Sequence, residues 1–152
     1  LKYYAQHDKW SCWAISLKII LEHLWIKEKR SKLIDLLDVK PHTWTSNKKI
    51  IKATKLYDLE IFEKENSKLS EVKSFLKSWY PVLVNYFNPI SKVWHYSVVN
   101  WFDNKNKVFY FLDPRNWQDY CLNFKDFKNL WHNWSWEIKW WMLVAWREKI
   151  VN

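Results

Sequence analysis

The chain has 152 residues, 49% of them hydrophobic and 27% charged, the make-up of a folded domain with a real core rather than of a disordered or fibrous chain. No apolar run reaches the roughly 20 residues a membrane helix needs, and two cysteines are too few for a disulfide-built secreted scaffold. The net charge of +9 comes from lysines spread along the chain, clustered at 27–32 and 48–55 without any nucleic-acid motif, so a solvated basic surface and no nucleic-acid partner are expected.

This length suits a single domain over residues 1–152, with no room for a second. The chain starts with Leu1 rather than Met, which suggests a domain cut from a larger protein. Cys12 and Cys121 are read as free thiols. The compartment stays open, with the cytoplasm slightly favoured over secretion.

In chain order, Leu1 to Ala5 is a short lead-in, and Gln6 to Ser11 a polar loop into a first helix. From Ala14 to Leu24 the apolar residues are too dense for a thin stripe, so this helix is expected to be largely buried and to end near Trp25. A second short helix is expected over Ser31–Leu37 with Leu33, Ile34, Leu36 and Leu37 inward, closed by Lys40-Pro41. A third follows the hydroxyls of Thr43, Thr45 and Ser46, with Ile50, Ile51, Ala53 and Leu56 inward. Leu59–Phe62 reads as a short strand, and a fourth helix carrying Leu69, Val72, Phe75 and Leu76 is expected to be capped by Ser67 or Ser70. The period then changes. Tyr80–Phe87, His95–Phe102 and Val108–Leu112 read as antiparallel strands, Asn123–Leu130 as a helix and Trp140–Arg147 as a last strand. Helices first and strands afterwards predict an α+β fold, a helical N-terminal half packed on an antiparallel sheet.

One feature of the composition is abnormal: the chain has no glycine and 14 tryptophans, where average usage of 7% predicts about ten glycines. Several tryptophans lie where a backbone asks for glycine. Trp25 and Trp79 each follow a helix, Trp117 completes Asp-Pro-Arg-Asn-Trp, and Trp101 lies near a strand end. The pattern fits tryptophan standing for glycine, as when a UGA codon read as glycine is translated as tryptophan. Trp131, Trp141 and Trp146, in an apolar stretch, fit as genuine core residues.

Cys12 sits in the first turn of the first helix, where unpaired N–H groups and the positive end of the dipole favour a thiolate nucleophile. Taken alone, such a cysteine is more often a small buried hydrophobe. A working nucleophile needs a base, an orienting group for that base, and an oxyanion donor. His95 at the start of its strand can serve as base, and Asp113, 18 residues later at the end of the next strand, as orienter. Gln6, six residues ahead of Cys12, can donate its amide to an oxyanion. None of this chemistry calls for a cofactor, and His7, His23, His42, His132 and Cys121 lack the spacing of a metal site.

Gln6, then Asp8-Lys9-Trp10-Ser11-Cys12-Trp13-Ala14, then His95-Tyr96-Ser97-Val98-Val99, then Asp113-Pro114 resembles the papain-like bacterial cysteine peptidases of the thirty-ninth family, the bacteriocin-processing group and its wider relatives. Reading Trp13, Trp44 and Trp94 as glycine restores Cys-Gly, Gly-Thr-Ser and Gly-His-Tyr, as those peptidases have them. The resemblance runs from Gln6 to about Phe127. It implies a papain-like fold, Cys12 as nucleophile, His95 as general base and acid, Asp113 as orienter and Gln6 in the oxyanion hole. Tryptophans at positions 13 and 94, beside both catalytic residues, would be expected to crowd the cleft. The substrate expected is a peptide or protein, with leader-peptide processing suggested by the transporter-linked members. Two other readings share the same residues: an inactive relative that binds peptides, and an amidase or other acyl transfer on the same triad.

Overall fold

The computed structural model describes residues 1–5, 11–36, 46–116, 119–133 and 135–148. Three helices come first, α1 (Cys12–His23), α2 (Arg30–Leu36) and α3 (Asn47–Lys55). They are followed by β1 (Glu60–Lys64), α4 (Leu69–Lys77), β2 (Val82–Asn88), β3 (Val93–Asp103), β4 (Val108–Leu112), β5 (Tyr120–Asn123), α5 (Phe124–Leu130) and β6 (Met142–Trp146). The strands form one antiparallel sheet in the order β1-β6-β2-β3-β4-β5. This is the expected α+β arrangement, with the C-terminal strand inserted between β1 and β2.

Strand alternation divides the core into two layers, one on each face of the sheet. Leu83, Val98 and Leu143 join α1, α2 and α3 in one layer, while Val84, Val99 and Val144 join α4 and α5 in the other. The fourth helix therefore covers the opposite face from the first three. α1 is the centre of the first layer: Ala14, Ile15, Leu17, Ile19, Ile20 and Leu21 are all buried, as the dense apolar run predicts.

Several local expectations are corrected. Neither Ser67 nor Ser70 caps α4. The cap is Lys68, whose N–H donates to the Glu71 carboxylate at 3.0 Å, while the Ser67 hydroxyl turns back to the Lys64 carbonyl. Ser46 does cap α3, its Oγ accepting from the Lys49 N–H. Leu56 is exposed rather than inward because α3 ends one residue earlier, and Leu36 is exposed at the end of α2. Leu37, Lys40, Pro41, Thr43, Trp44 and Thr45 lie outside the described residues. β5, a four-residue edge strand, has no counterpart in the sequence reading.

The tryptophans separate into two groups. Trp25 and Trp79 have left-handed backbones, φ 63° and 67°, at the ends of α1 and α4. At each end the N–H of the tryptophan and that of the following residue close on the last carbonyls of the helix in the pattern normally completed by glycine. Trp136 and Trp140 are also left-handed, and Trp140 precedes β6 instead of starting it. Trp13, Trp94 and Trp101 have ordinary helical or strand backbones, so the expectation of a glycine-demanding conformation fails at Trp101, which lies beside a bulge in β3. Trp117 is outside the described residues.

Candidate active site

Cys12 is the first residue of α1, so it meets the N–H groups that no helical carbonyl satisfies, and no acidic side chain occupies that turn. One turn further along the same helix face, the Ser16 hydroxyl donates to the backbone carbonyl of Tyr96 at 3.2 Å. That buried bond fastens α1 to β3 one residue from His95. His95 itself is buried, 2% exposed, and lies two residues into β3.

The His95 Nε2–H donates to Asp113 Oδ1 at 2.8 Å, and Cys12 is the other group that favours the charged ring. Asp113 follows the last residue of β4 and is fully buried. Its Oδ1 also accepts the N–H groups of Arg115 at 3.0 Å and Asn116 at 2.9 Å, and its Oδ2 accepts the Tyr86 hydroxyl at 2.6 Å. Asp113 is thus both the turn former expected of Asp before Pro and the carboxylate that holds the imidazole. Asn88 and Asn116 exchange amide hydrogen bonds beside this turn and tie it to the end of β2.

Burial alone would push the His95 ring toward neutrality, but the Asp113 carboxylate and then Cys12 outweigh it and raise its pKa from 6.5 to about 10. Burial likewise opposes ionisation of Asp113, and the His95 charge with the bonds from His95, Tyr86 and Asn116 holds it below the ordinary 3.8. The buried pair therefore rests as imidazolium and carboxylate at neutral pH. A cysteine sulfur beside an imidazole that can take up and lend a proton has the partners acyl transfer needs.

Of the expected residues, His95 and Asp113 are hydrogen-bonded, and Cys12 at the start of α1 is among the groups that act on the His95 ring. Gln6 lies outside the described residues, although the segment before it is anchored: the Tyr3 hydroxyl donates to the Asp113 carbonyl at 2.9 Å, and Arg30 donates to the Ala5 carbonyl at 2.7 Å. The indoles expected to crowd the cleft are held elsewhere. Trp13 is buried in the α1 layer, 1% exposed, and Trp94 packs on Phe87 and His132 with ring centroids 5.0 and 6.1 Å away. Cys121 is exposed on β5, and both thiols are free. Among the described residues, no three His, Cys, Asp or Glu side chains gather as a metal site would require. Tyr86, Asn88 and Asn116 were not singled out by sequence reasoning. The signal that could have found Tyr86 is its place in the Val82, Val84, Tyr86 alternation, which buries a hydroxyl that then needs a partner.

A family model for the Peptidase_C39-like family matches residues 1–137. The chain belongs to this family. Solved structures agree in fold. The peptidase domain of Streptococcus ComA, a bifunctional ABC transporter of a quorum-sensing pathway, is similar at 17% identity and a TM-score of 0.77, over 97% of this chain and 98% of that one. A double-glycine-motif protease from an AMS/PCAT transporter, solved with its leader peptide, matches at 17% identity and a TM-score of 0.74, over 97% and 91%. A C39-like protein from Bacillus anthracis matches at 14% identity and 0.72, over 97% and 96%. No curated protein matches the chain in sequence. At these identities the likeness establishes the C39 peptidase-domain fold, papain-like in its helices and antiparallel sheet. No helix among the described residues is long and apolar enough to cross a membrane.

Proposed function

We propose that this C39-like domain is a cysteine peptidase with Cys12 as nucleophile, His95 as general acid and base, Asp113 as orienter and Gln6 as oxyanion donor. The observation that carries the reading is the buried His95, bonded through Nε2 to the buried Asp113 at 2.8 Å. In the reaction, the Cys12 sulfur adds to the peptide carbonyl and the oxygen takes the negative charge, which the Gln6 amide and the N–H groups at the start of α1 stabilise. His95 gives its proton to the departing amine, leaving a thioester on Cys12. Water, losing a proton to His95, then adds to the thioester and releases the acid and the thiolate.

The substrate class to test first is a leader peptide ending in two glycines, by analogy with the double-glycine-motif protease solved with its leader. Thiol labelling tests the chemistry without knowledge of the substrate. Iodoacetamide or an E-64-type epoxide is expected to modify Cys12 at least tenfold faster than exposed Cys121, and the preference disappears in His95→Ala. Equal, slow labelling of both thiols overturns the peptidase reading and leaves a peptide-binding relative. Mass spectrometry of a double-glycine peptide after incubation with the protein then separates peptidase from other acyl transfer.

A further inference from the structure

Asp113 Oδ1 has three partners, the ring of His95 and the N–H groups of Arg115 and Asn116, whereas Oδ2 is held by the Tyr86 hydroxyl. Tyr86 is fully buried on β2, directly opposite His95 in the β2–β3 ladder, and its ring stands edge-on to the imidazole with centroids 6.0 Å apart. It also stacks on Phe111 at 5.5 Å and meets Phe127 edge-on at 6.4 Å. Those apolar contacts would be served equally by phenylalanine. The hydroxyl costs free energy to bury, and its one proton goes to an ionised carboxylate, an acceptor only.

Resting on the triad reading above, we propose that Tyr86 is a positioning residue for the Cys12-His95-Asp113 machinery: its hydroxyl locks the rotation of the Asp113 carboxylate so that Oδ1 meets His95 Nε2, while its ring fixes the plane of the imidazole. A carboxylate without this bond turns more freely about its Cβ–Cγ bond and protonates more readily, and either change loosens the hold on His95. Among the described residues, four titratable groups face Asp113: His95 from β3, Tyr86 from β2, Tyr120 from β5 and Tyr3 from the N-terminal segment. Of these, His95 is the charge partner and the tyrosines are neutral at working pH.

The test compares the full chain with Tyr86→Phe, which keeps the ring. A hydrogen bond to a charged group sets the expected size, a fall on the order of tenfold in kcat and in the Cys12 alkylation rate, with KM unchanged. The sign of the pH effect follows from the lost bond: it favours the charged carboxylate, so without it the acid limb of Cys12 alkylation moves to higher pH. Unchanged kcat and an unmoved limb, with only a lower melting temperature, overturn the proposal and leave Tyr86 a packing residue. If Tyr86→Phe does not fold, 3-fluorotyrosine at position 86 provides a stronger donor on the same ring. The limb then moves to lower pH, and an unmoved limb overturns the proposal. His95→Ala run in parallel separates the two readings. If Cys12 alkylation is indifferent to His95, the triad fails and Tyr86 falls with it; if it depends on His95 but not on Tyr86, the positioning role alone falls.

Discussion

Trp25→Gly should stabilise the protein and Trp79→Gly should leave it nearly unchanged, although each removes the largest side chain in the code. Both residues follow a helix with φ above 60°, a conformation that costs an L-residue about 1–2 kcal/mol and glycine almost nothing. Little is lost in return, because Trp25 is 89% exposed and Trp79 77%. Glycine's greater freedom in the unfolded chain takes back about 0.4–1 kcal/mol, so Trp25→Gly should gain about 0.5–1 kcal/mol. Trp79 also stacks on Trp101 with centroids 5.7 Å apart, a contact worth about 0.5–1.5 kcal/mol, which leaves its replacement near neutral. The double variant should gain about 1 kcal/mol, raising the melting temperature by about 2–4 °C in a domain of this size. Thermal unfolding by circular dichroism and calorimetry measures this, with Trp25→Ala as the discriminating control, since alanine keeps the Cβ that makes the left-handed backbone costly. A Trp25→Gly protein that melts no higher than Trp25→Ala would refute the conformational argument and leave the tryptophan's exposure as irrelevant to stability.

Two further outcomes follow from the site. His95 keeps in the folded state a proton that the unfolded chain releases near pH 6.5, so its contribution to stability is fully present below that value and is lost as pH rises toward about 10. Urea unfolding of the protein and of His95→Asn should therefore show a gap in stability near pH 6 that narrows steadily toward pH 10; a constant gap would sink the linkage. Ser16→Ala removes the buried bond to the Tyr96 carbonyl, at a cost of about 0.5–1.5 kcal/mol, and should slow Cys12 labelling by loosening α1 on β3. Unchanged labelling in a folded Ser16→Ala protein would show that α1 is held in register without that bond.

The residues of the candidate site were legible as candidates because they lie at element boundaries that leave marks in the chain. The density of apolar residues after Cys12 gives the helix start, and the runs around His95 and before Asp113 alternate clearly enough to be strands. What eluded the reading depends on partners distant in sequence. β6 enters between β1 and β2 through pairings such as Val84 with Met142, which no local pattern encodes. β5 has only four residues at a sheet edge, too few for a period to register. The cap of α4 was misplaced because Glu71, from within the helix, reaches back to accept the N–H of Lys68, and the Ser67 hydroxyl donates instead to the Lys64 carbonyl.

The same distinction explains why the tryptophans mislead in opposite directions. At Trp25 and Trp79 the demand is on the backbone, set by a helix that must end, and a helix end is a local event that the sequence reveals. At Trp13 the residue next to Cys12 sits inside a helix, where no left-handed turn is needed, and its indole is absorbed by the layer beneath α1, with its Nε1–H left without a hydrogen-bond partner among the described residues. Burying that unpaired N–H costs about 1–3 kcal/mol, offset by the apolar area of the ring. The two kinds of tryptophan thus act on stability through different terms, conformational strain at the helix ends and desolvation in the core. Only the first is relieved by glycine without opening a cavity beside Cys12.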